Sequence, residues 1–182
     1  WFRMDFDCPE LASQCRAGQF VQVEIGDGCD PLLRRPFSVY DLYPEPGPNA
    51  KRVALLVQKV GPGTTWLSQR RKGDEVDLLG PLGNPFPEPP KEAGRSIMLV
   101  GGGIGVAPLY LYSRELQSAG IEVDHHVLIG ARYESLLVTQ KDFERNGLPV
   151  AVATDDGSAG HHGNVVELLD LKRKELDKPD AI

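Results

Sequence analysis

Between Ser96 and Leu109 the chain reads SIMLVGGGIGVAPL, an apolar run that ends in a cluster of glycines and then turns into a helical pattern. Few local structures accommodate that order. A strand that stops at Gly101, Gly102, Gly103 and Gly105 and resumes as a helix is a βα turn. Its glycines permit positive φ and close backbone approach, and its helix start offers unpaired N–H groups with partial positive charge. In physical terms this is a place for the phosphates of a dinucleotide, spanning Gly101 to Gly105 with Ile104 at its tip and Pro108 just inside the helix. The spacing departs from G-x-G-x-x-G, because Val106 stands where the last glycine would be. On this stretch alone, a merely tight connection is the competing reading.

The rhythm around this turn differs on its two sides. Before it, FVQVEI (20–25), PFSVYDL (36–42), RVALLVQKV (52–60) and EVDLLG (75–80) are short β-like runs punctuated by Pro and Gly, the mark of an antiparallel barrel or sandwich. One short helix is expected within TTWLSQRR, capped by Thr64 or Thr65 and closed near Gly73. PEPPKEAG (87–94) has the composition of a linker. After it, strands and helices alternate, as in a parallel sheet with helices on its faces. A helix whose apolar positions Leu109, Tyr112 and Leu116 recur at helical spacing ends at Gly120, VDHHVLIG is a strand, and a helix around Glu134 to Arg145 stops at Gly147. PVAVAT is the next strand, and Asn164 with Glu167 opens a last helix with a capping-box pattern. The expected division is 1–92 and 95–182.

A net charge of −6 and a pI near 5.2 argue against a general nucleic-acid or anionic-membrane surface, which needs a basic face. No run approaches the ~18 apolar residues of a membrane span, so no membrane and no nucleic-acid partner are expected, and a cytoplasmic setting is. Cys8, Cys15 and Cys29 are too few and too irregularly spaced for a disulfide framework or a four-thiolate metal site, and read as reduced thiols. His125 and His126, adjacent in a strand, point to opposite faces and cannot share a metal. His161 and His162 read as solvated residues of a Gly-rich loop. Both ends look cut: WFRMDF alternates like a strand in progress, and DAI is where another would begin.

The polar stretch RRPFSVY (34–40) is unusual for a strand. A strand-borne arginine such as Arg35 makes a fixed bidentate partner for phosphate. Pro36 suits a strand start or interrupted pairing, Phe37 can cover a planar ring, and Ser38 can hydrogen-bond a ring edge. Strict alternation sets Arg35 and Phe37 on one face and Ser38 on the other, so one ligand can meet all three only if the strand bends near Pro36 or the ligand wraps its edge. An edge strand with solvated arginines is the plainer alternative. In KVGPGTTWLS (59–68), Gly61 and Gly63 allow close approach before a helix, a second place suited to a diphosphate. GPLGNPF (80–86) by itself signifies only a turn.

RPFS, GPGTTWLS, GPLGNPF and GGGIGVAPL, in this order, resemble the ferredoxin-NADP reductase superfamily. AGQFVQV, DPLLRRPFSVYD, GGGIGVAPLY and ATDDGSAGHHGNV resemble, within it, the electron-transfer subunits of NAD-linked dihydroorotate dehydrogenases. The resemblance implies an antiparallel Greek-key β-barrel FAD domain followed by a Rossmann-like α/β domain that binds NAD and is incomplete at its C-terminus. It implies that Arg35, Pro36, Phe37 and Ser38 hold the flavin and its diphosphate, that Leu56, Val57 and Gln58 line the site, and that Gly63 and Thr64 meet the phosphates. Gly101, Gly102, Gly103, Ile104, Gly105 and Pro108 would shape the NAD site, with Thr154 and Asp155 at its rim.

It further implies a heterotetramer with an FMN-containing catalytic subunit. Electrons would pass from dihydroorotate, through that FMN and a 2Fe-2S cluster, to FAD and NAD in pyrimidine biosynthesis. The cluster is expected only in a C-terminal segment outside this sequence, and none of the three cysteines here matches its motif. Phe37 stands where relatives often carry Tyr. Alternatives from the same chemistry are a flavin reductase, or a diaphorase subunit of a hydrogenase or glutamate synthase. A non-redox nucleotide-binding module is the alternative of another class. No catalytic acid, base or nucleophile is required of this chain, since the flavin carries the chemistry.

Overall fold

The computed structural model describes residues 1–26, 33–88, 95–120, 123–175 and 182. The expected strand start at DAI, most of the linker 87–94, and Cys29 lie outside the described residues. The chain divides into two compact units, Trp1–Phe86 and Pro87–Ile182.

In the first unit five strands, β1 (Phe2–Asp7), β2 (Phe20–Val23), β3 (Arg35–Tyr43), β4 (Arg52–Val57) and β5 (Leu78–Leu82), form an antiparallel barrel-type sheet in the order β1-β4-β3-β2-β5. β1 alternates half-buried Phe2, Met4 and Phe6 with exposed Arg3, Asp5 and Asp7, so the edge strand packs one face and keeps charge on the other. Val21, Val23, Val39, Leu42, Val53, Leu55 and Val57 are fully buried and build the core. Short helix α1 (Pro9–Ala12) was not signalled by periodicity, being a single turn.

Helix α2 spans Pro62–Ser68 and differs from expectation at both ends. Its N-cap is Gly61, not Thr64 or Thr65. Pro62, with its missing N–H and fixed φ, suits the first turn better than a threonine cap would. The helix ends at the Gln69 cap, well before Gly73. In β3, Pro36 lies in register opposite Gln22, and a shift of register comes between Val39 and Asp41.

The second unit is a parallel sheet in the order β6-β7-β8-β9, with β6 (Arg95–Gly102), β7 (Val123–Ala131), β8 (Val150–Thr154) and β9 (His161–His162). Helices α3 (Ala107–Ser118), α4 (Gln140–Arg145) and α5 (Val165–Glu175) complete it. On one face Met98, Leu128 and Ala153 pack with Leu168 of α5. Between α3 and α4, Tyr110 meets Phe143 edge-on at 5.3 Å.

Four elements correct the sequence reading. A 3-10 turn, Gly103–Val106, intervenes between β6 and α3, so the α-helix does not follow the glycines directly. On α3 the buried residues are Ala107, Tyr110, Leu111, Ser113 and Leu116, while Leu109 and Tyr112 are half-buried. The helix expected over Glu134–Arg145 is split into a 3-10 turn, Glu134–Leu136, and α4, because Leu137 leaves the helical region at ψ 52°. His161 and His162 also belong to a short strand rather than to a loop, with His162 exposed and His161 half-buried. Asn164 caps α5 as its sequence predicts: its Oδ1 accepts the N–H groups of Val166 and Glu167, and Glu167 Oε2 accepts the Asn164 N–H.

Candidate functional site

In the first unit the two arginines of RRPFS have different fates. Arg34 donates to Asp77 Oδ1 at 2.6 Å and to Glu24 Oε2 at 2.8 Å, clamping the chain beside β2 and β5. Arg35 donates from Nη1 to backbone oxygens, Leu33 O at 2.8 Å and Arg34 O at 3.4 Å, and has no carboxylate partner among the described residues. Its exposed guanidinium is a strand-mounted cation with donors to spare.

Next to it, β3 and β4 part. Their pairing ends at Val39 opposite Leu55, while Arg35 to Ser38 pair with β2 instead. Val39 N–H donates to Gln19 O at 3.0 Å. Antiparallel alternation therefore gives Phe37 and Arg35 to the β2 ladder and aims the Ser38 N–H at the opposite edge, toward the end of β4. Pro36 occupies the other such position, where a missing N–H costs no ladder bond. One edge of the RPFS segment thus lies beyond the last β3–β4 register pair, on the side of β4. Leu56 there is half-buried and Gln58 exposed, while the Val57 side chain is buried in the core, which leaves only its backbone for a ligand.

After β4 comes the turn into α2. Thr64 Oγ accepts the N–H groups of Val60 (2.9 Å) and Gly61 (3.1 Å) and donates to Gly61 O (3.2 Å). Its hydroxyl is therefore spent within the turn, and what this turn offers a ligand is the first-turn N–H groups of Gly63 and Thr64. The glycines here differ as well. A Cβ on Gly63 would stand 2.8 Å from Ile25 Cγ2, whereas one on Gly61 meets nothing within 4 Å. Gly61 has an extended φ of −169°, so neither conformation nor internal packing requires glycine there.

The same division appears in the second unit. A Cβ on Gly101 would lie 2.9 Å from Val106 Cα, so Gly101 supplies the close strand-helix packing that the third glycine of the usual fingerprint supplies, and Val106 can be a buried valine. Gly103 needs its left-handed φ of 54°. Gly102 has an extended φ of −115°, Gly105 lacks a positive φ, and a Cβ on either meets nothing within 4 Å. Bare backbone with no internal reason to be bare fits a ligand that must come close. Ile104, between them, is 46 % exposed. Pro108 is half-buried in the first turn of α3.

At the carboxyl end of β8, Asp155 is exposed, but Thr154 is buried. The Thr154 hydroxyl donates to Ala159 O at 2.8 Å and accepts the Ala159 N–H at 3.0 Å. Thr154 therefore closes the following loop from beneath instead of forming a rim. Sequence reading missed Asp156 and Ser158, which organise that loop. Their signal is an Asp two residues before a Ser in a Gly-rich turn, a common local hydrogen-bonding unit. His125 is buried on one face of β7, while His126 pairs with Asp124 at 3.0 Å. Among the described residues no group of His, Cys, Asp and Glu could hold a metal ion. Cys8 and Cys15 are free thiols. No helix of the described residues is long and apolar enough to cross a membrane.

No family model matches the chain. Among curated proteins it is 40 % identical over 168 residues to the electron transfer subunit of dihydroorotate dehydrogenase B (NAD(+)) from Desulforamulus reducens, covering 92 % of this chain and 61 % of that protein. The corresponding subunit of Bacillus caldolyticus is 39 % identical over 160 residues, covering 88 % of this chain and 60 % of its own length. Among solved structures, the NADH-dependent reduced ferredoxin-NADP oxidoreductase superposes with a TM-score of 0.77 at 31 % identity, over 96 % of this chain and 59 % of that one. In this chain the antiparallel barrel-type unit and the parallel α/β unit with its glycine turn match the fold of the ferredoxin-NADP reductase superfamily of flavin oxidoreductases. Within the superfamily it is a homologue of the electron transfer subunits of dihydroorotate dehydrogenase B, and it spans about 61 % of the length of the first of them.

Proposed function

We propose that the chain is the FAD-carrying electron-transfer subunit of an NAD-linked dihydroorotate dehydrogenase, taking electrons released by dihydroorotate oxidation in an FMN-containing partner and delivering them to NAD. The reading is supported by the names of the two relatives, and it rests on one structural observation: the exposed Arg35 guanidinium, bonded to backbone oxygens and without a carboxylate partner among the described residues, on the stretch of β3 that has left its pairing with β4. The flavin ring is assigned to this edge, with half-buried Phe37 and Leu56 to offer apolar surface and the Ser38 N–H and exposed Gln58 to offer polar contacts. Arg35 and the first-turn N–H groups of Gly63 and Thr64 fit the diphosphate. Bound there, FAD supplies both two-electron exchange with a nicotinamide and one-electron exchange with a metal cluster.

The chain's own part is to bind, orient and exclude water. In the second unit Gly102, Gly103 and Gly105 admit the pyridine dinucleotide, and exposed Asp155 stands at the carboxyl end of β8, where ligands of open α/β sheets bind. Among the described residues there is no cysteine set for a 2Fe-2S cluster, and the cluster of this reading lies outside them. A cytoplasmic setting and a heterotetrameric assembly with the catalytic subunit are part of the same proposal.

The test is NADH formation from dihydroorotate by the purified assembly with its FMN subunit, with and without this chain. Turnover to NAD that requires the chain is expected; equal NADH formation without it overturns the reading. A second reading, electron exchange between NAD(P)H and a ferredoxin, is favoured by the 31 % identity to the ferredoxin-linked oxidoreductase. NADH-driven ferredoxin reduction by this chain, with no orotate-linked turnover in the assembly, would select it.

A further inference from the structure

The loops that follow β7 and β8 are stitched together through one exposed side chain. Ser158 Oγ accepts the Glu134 N–H at 2.8 Å and donates to Asp156 Oδ1 at 2.6 Å, and the Ser158 N–H reaches the same oxygen at 3.0 Å. From the other side, the N–H groups of Asp155 and Asp156 donate to Ala131 O (3.1 Å) and Arg132 O (3.2 Å). The circuit closes around Arg132 and Tyr133. Both are exposed at the carboxyl end of β7, and Tyr133 holds an extended backbone (φ −157°, ψ 161°) immediately before the 3-10 turn that Glu134 begins.

Two features separate this circuit from an ordinary turn. Ser158 joins two different strand ends, 24 residues apart in sequence. It also engages the exposed Asp156 carboxylate: the bonds from Ser158 hold that carboxyl below its usual range. The Arg132–Tyr133 segment, at the carboxyl end of the sheet, is held by hydrogen bonds, those of Ser158 and of the Asp155 and Asp156 N–H groups, and not by packing, since neither of its side chains is buried.

We infer that Ser158 is a positioning residue for pyridine-dinucleotide binding: by tying the Glu134 N–H to the Asp156 carboxylate it presets the Arg132–Tyr133 segment against which the dinucleotide seats. The inference rests on the proposed function, through the assignment of the β7 and β8 ends to the nucleotide. It predicts a loss of affinity with little loss of fold, because the circuit is exposed and the core beneath it is independent of Ser158.

The experiment is calorimetric titration of the purified protein with NAD+ and with NADH, for wild type, Ser158→Ala and Ser158→Thr, alongside amide exchange at Glu134 and thermal unfolding. Ser158→Ala is expected to weaken binding about fivefold or more, as for the loss of one to two hydrogen bonds. It is also expected to release the protected Glu134 amide while leaving the thermal midpoint near wild type. Ser158→Thr, which keeps the hydroxyl, is expected to restore both affinity and protection. Unchanged affinity in Ser158→Ala with a freely exchanging Glu134 amide overturns the inference while leaving the functional reading intact. A drop in affinity that Ser158→Thr fails to restore overturns it too. A wild-type protein that binds neither NAD+ nor NADH overturns the functional reading itself.

Discussion

A Cβ on Gly101 would stand 2.9 Å from the Cα of Val106, a separation that real side chains do not tolerate against backbone. This relationship splits the glycine cluster into parts that serve packing and parts that serve a ligand. Gly101→Ala forces β6 and the turn before α3 apart and is expected to destabilise the second unit by about 1–3 kcal/mol. Gly102→Ala and Gly105→Ala, which point into open space, are expected to shift stability by less than about 0.5 kcal/mol while weakening NAD(H) binding. Urea unfolding and nucleotide titration of the three variants distinguish the roles.

The pair Gly61 and Gly63 makes the same comparison in the first unit. Gly63→Ala presses on buried Ile25 at 2.8 Å and is expected to lower stability. Gly61→Ala is expected to leave stability unchanged and to weaken flavin retention, read as the flavin absorbance that survives gel filtration.

Alkaline pH should loosen the first unit before the second. Burial pushes the Cys15 thiol up to about 12 from its ordinary 9.0. Burial, aided by a hydrogen bond with Asp41, pushes the Tyr43 phenol up to about 12 from 10.0. Both groups hold their protons more tightly folded than unfolded. Their stabilisation is therefore complete below the unfolded values and is lost as pH rises through the window between 9 and 12. For Cys15 the expected loss is about 2 kcal/mol between roughly pH 9 and pH 11. Denaturant midpoints measured across that range should fall for the wild type and fall less for Cys15→Ala.

Much of the plan was legible because it is written in local patterns. The change from short punctuated strands to alternating strands and helices, the glycine turn from Gly101 to Gly105, and the Asn164–Glu167 cap each depend on neighbours a few residues apart. What the sequence could not separate depends on partners far along the chain. Arg34 and Arg35 look alike until Asp77 and Glu24 come to claim the first. Leu56 and Val57 look alike until strand pairing turns Val57 into the core. Thr154 reads as a polar strand end, and only the folded loop shows its hydroxyl spent on Ala159. Of the two routes by which one ligand could meet Arg35, Phe37 and Ser38, a bend near Pro36 or a ligand wrapping the strand edge, the first is not taken. Pro36 sits at a ladder position that needs no N–H toward β2, so β3 tolerates it and shifts register at Asp41 instead.

The most direct test of the account is titration of the flavin-free protein with FAD, followed by absorbance and fluorescence quenching, for wild type and Arg35→Ala, with Arg34→Ala as the paired control. Wild type is expected to bind FAD tightly and turn yellow. Arg35→Ala is expected to lose about tenfold or more in affinity, as for one charge-assisted phosphate contact, and Arg34→Ala to lose thermal stability ahead of flavin affinity. A wild-type protein that stays colourless, or an Arg35→Ala variant that binds FAD as tightly as wild type, would contradict the account.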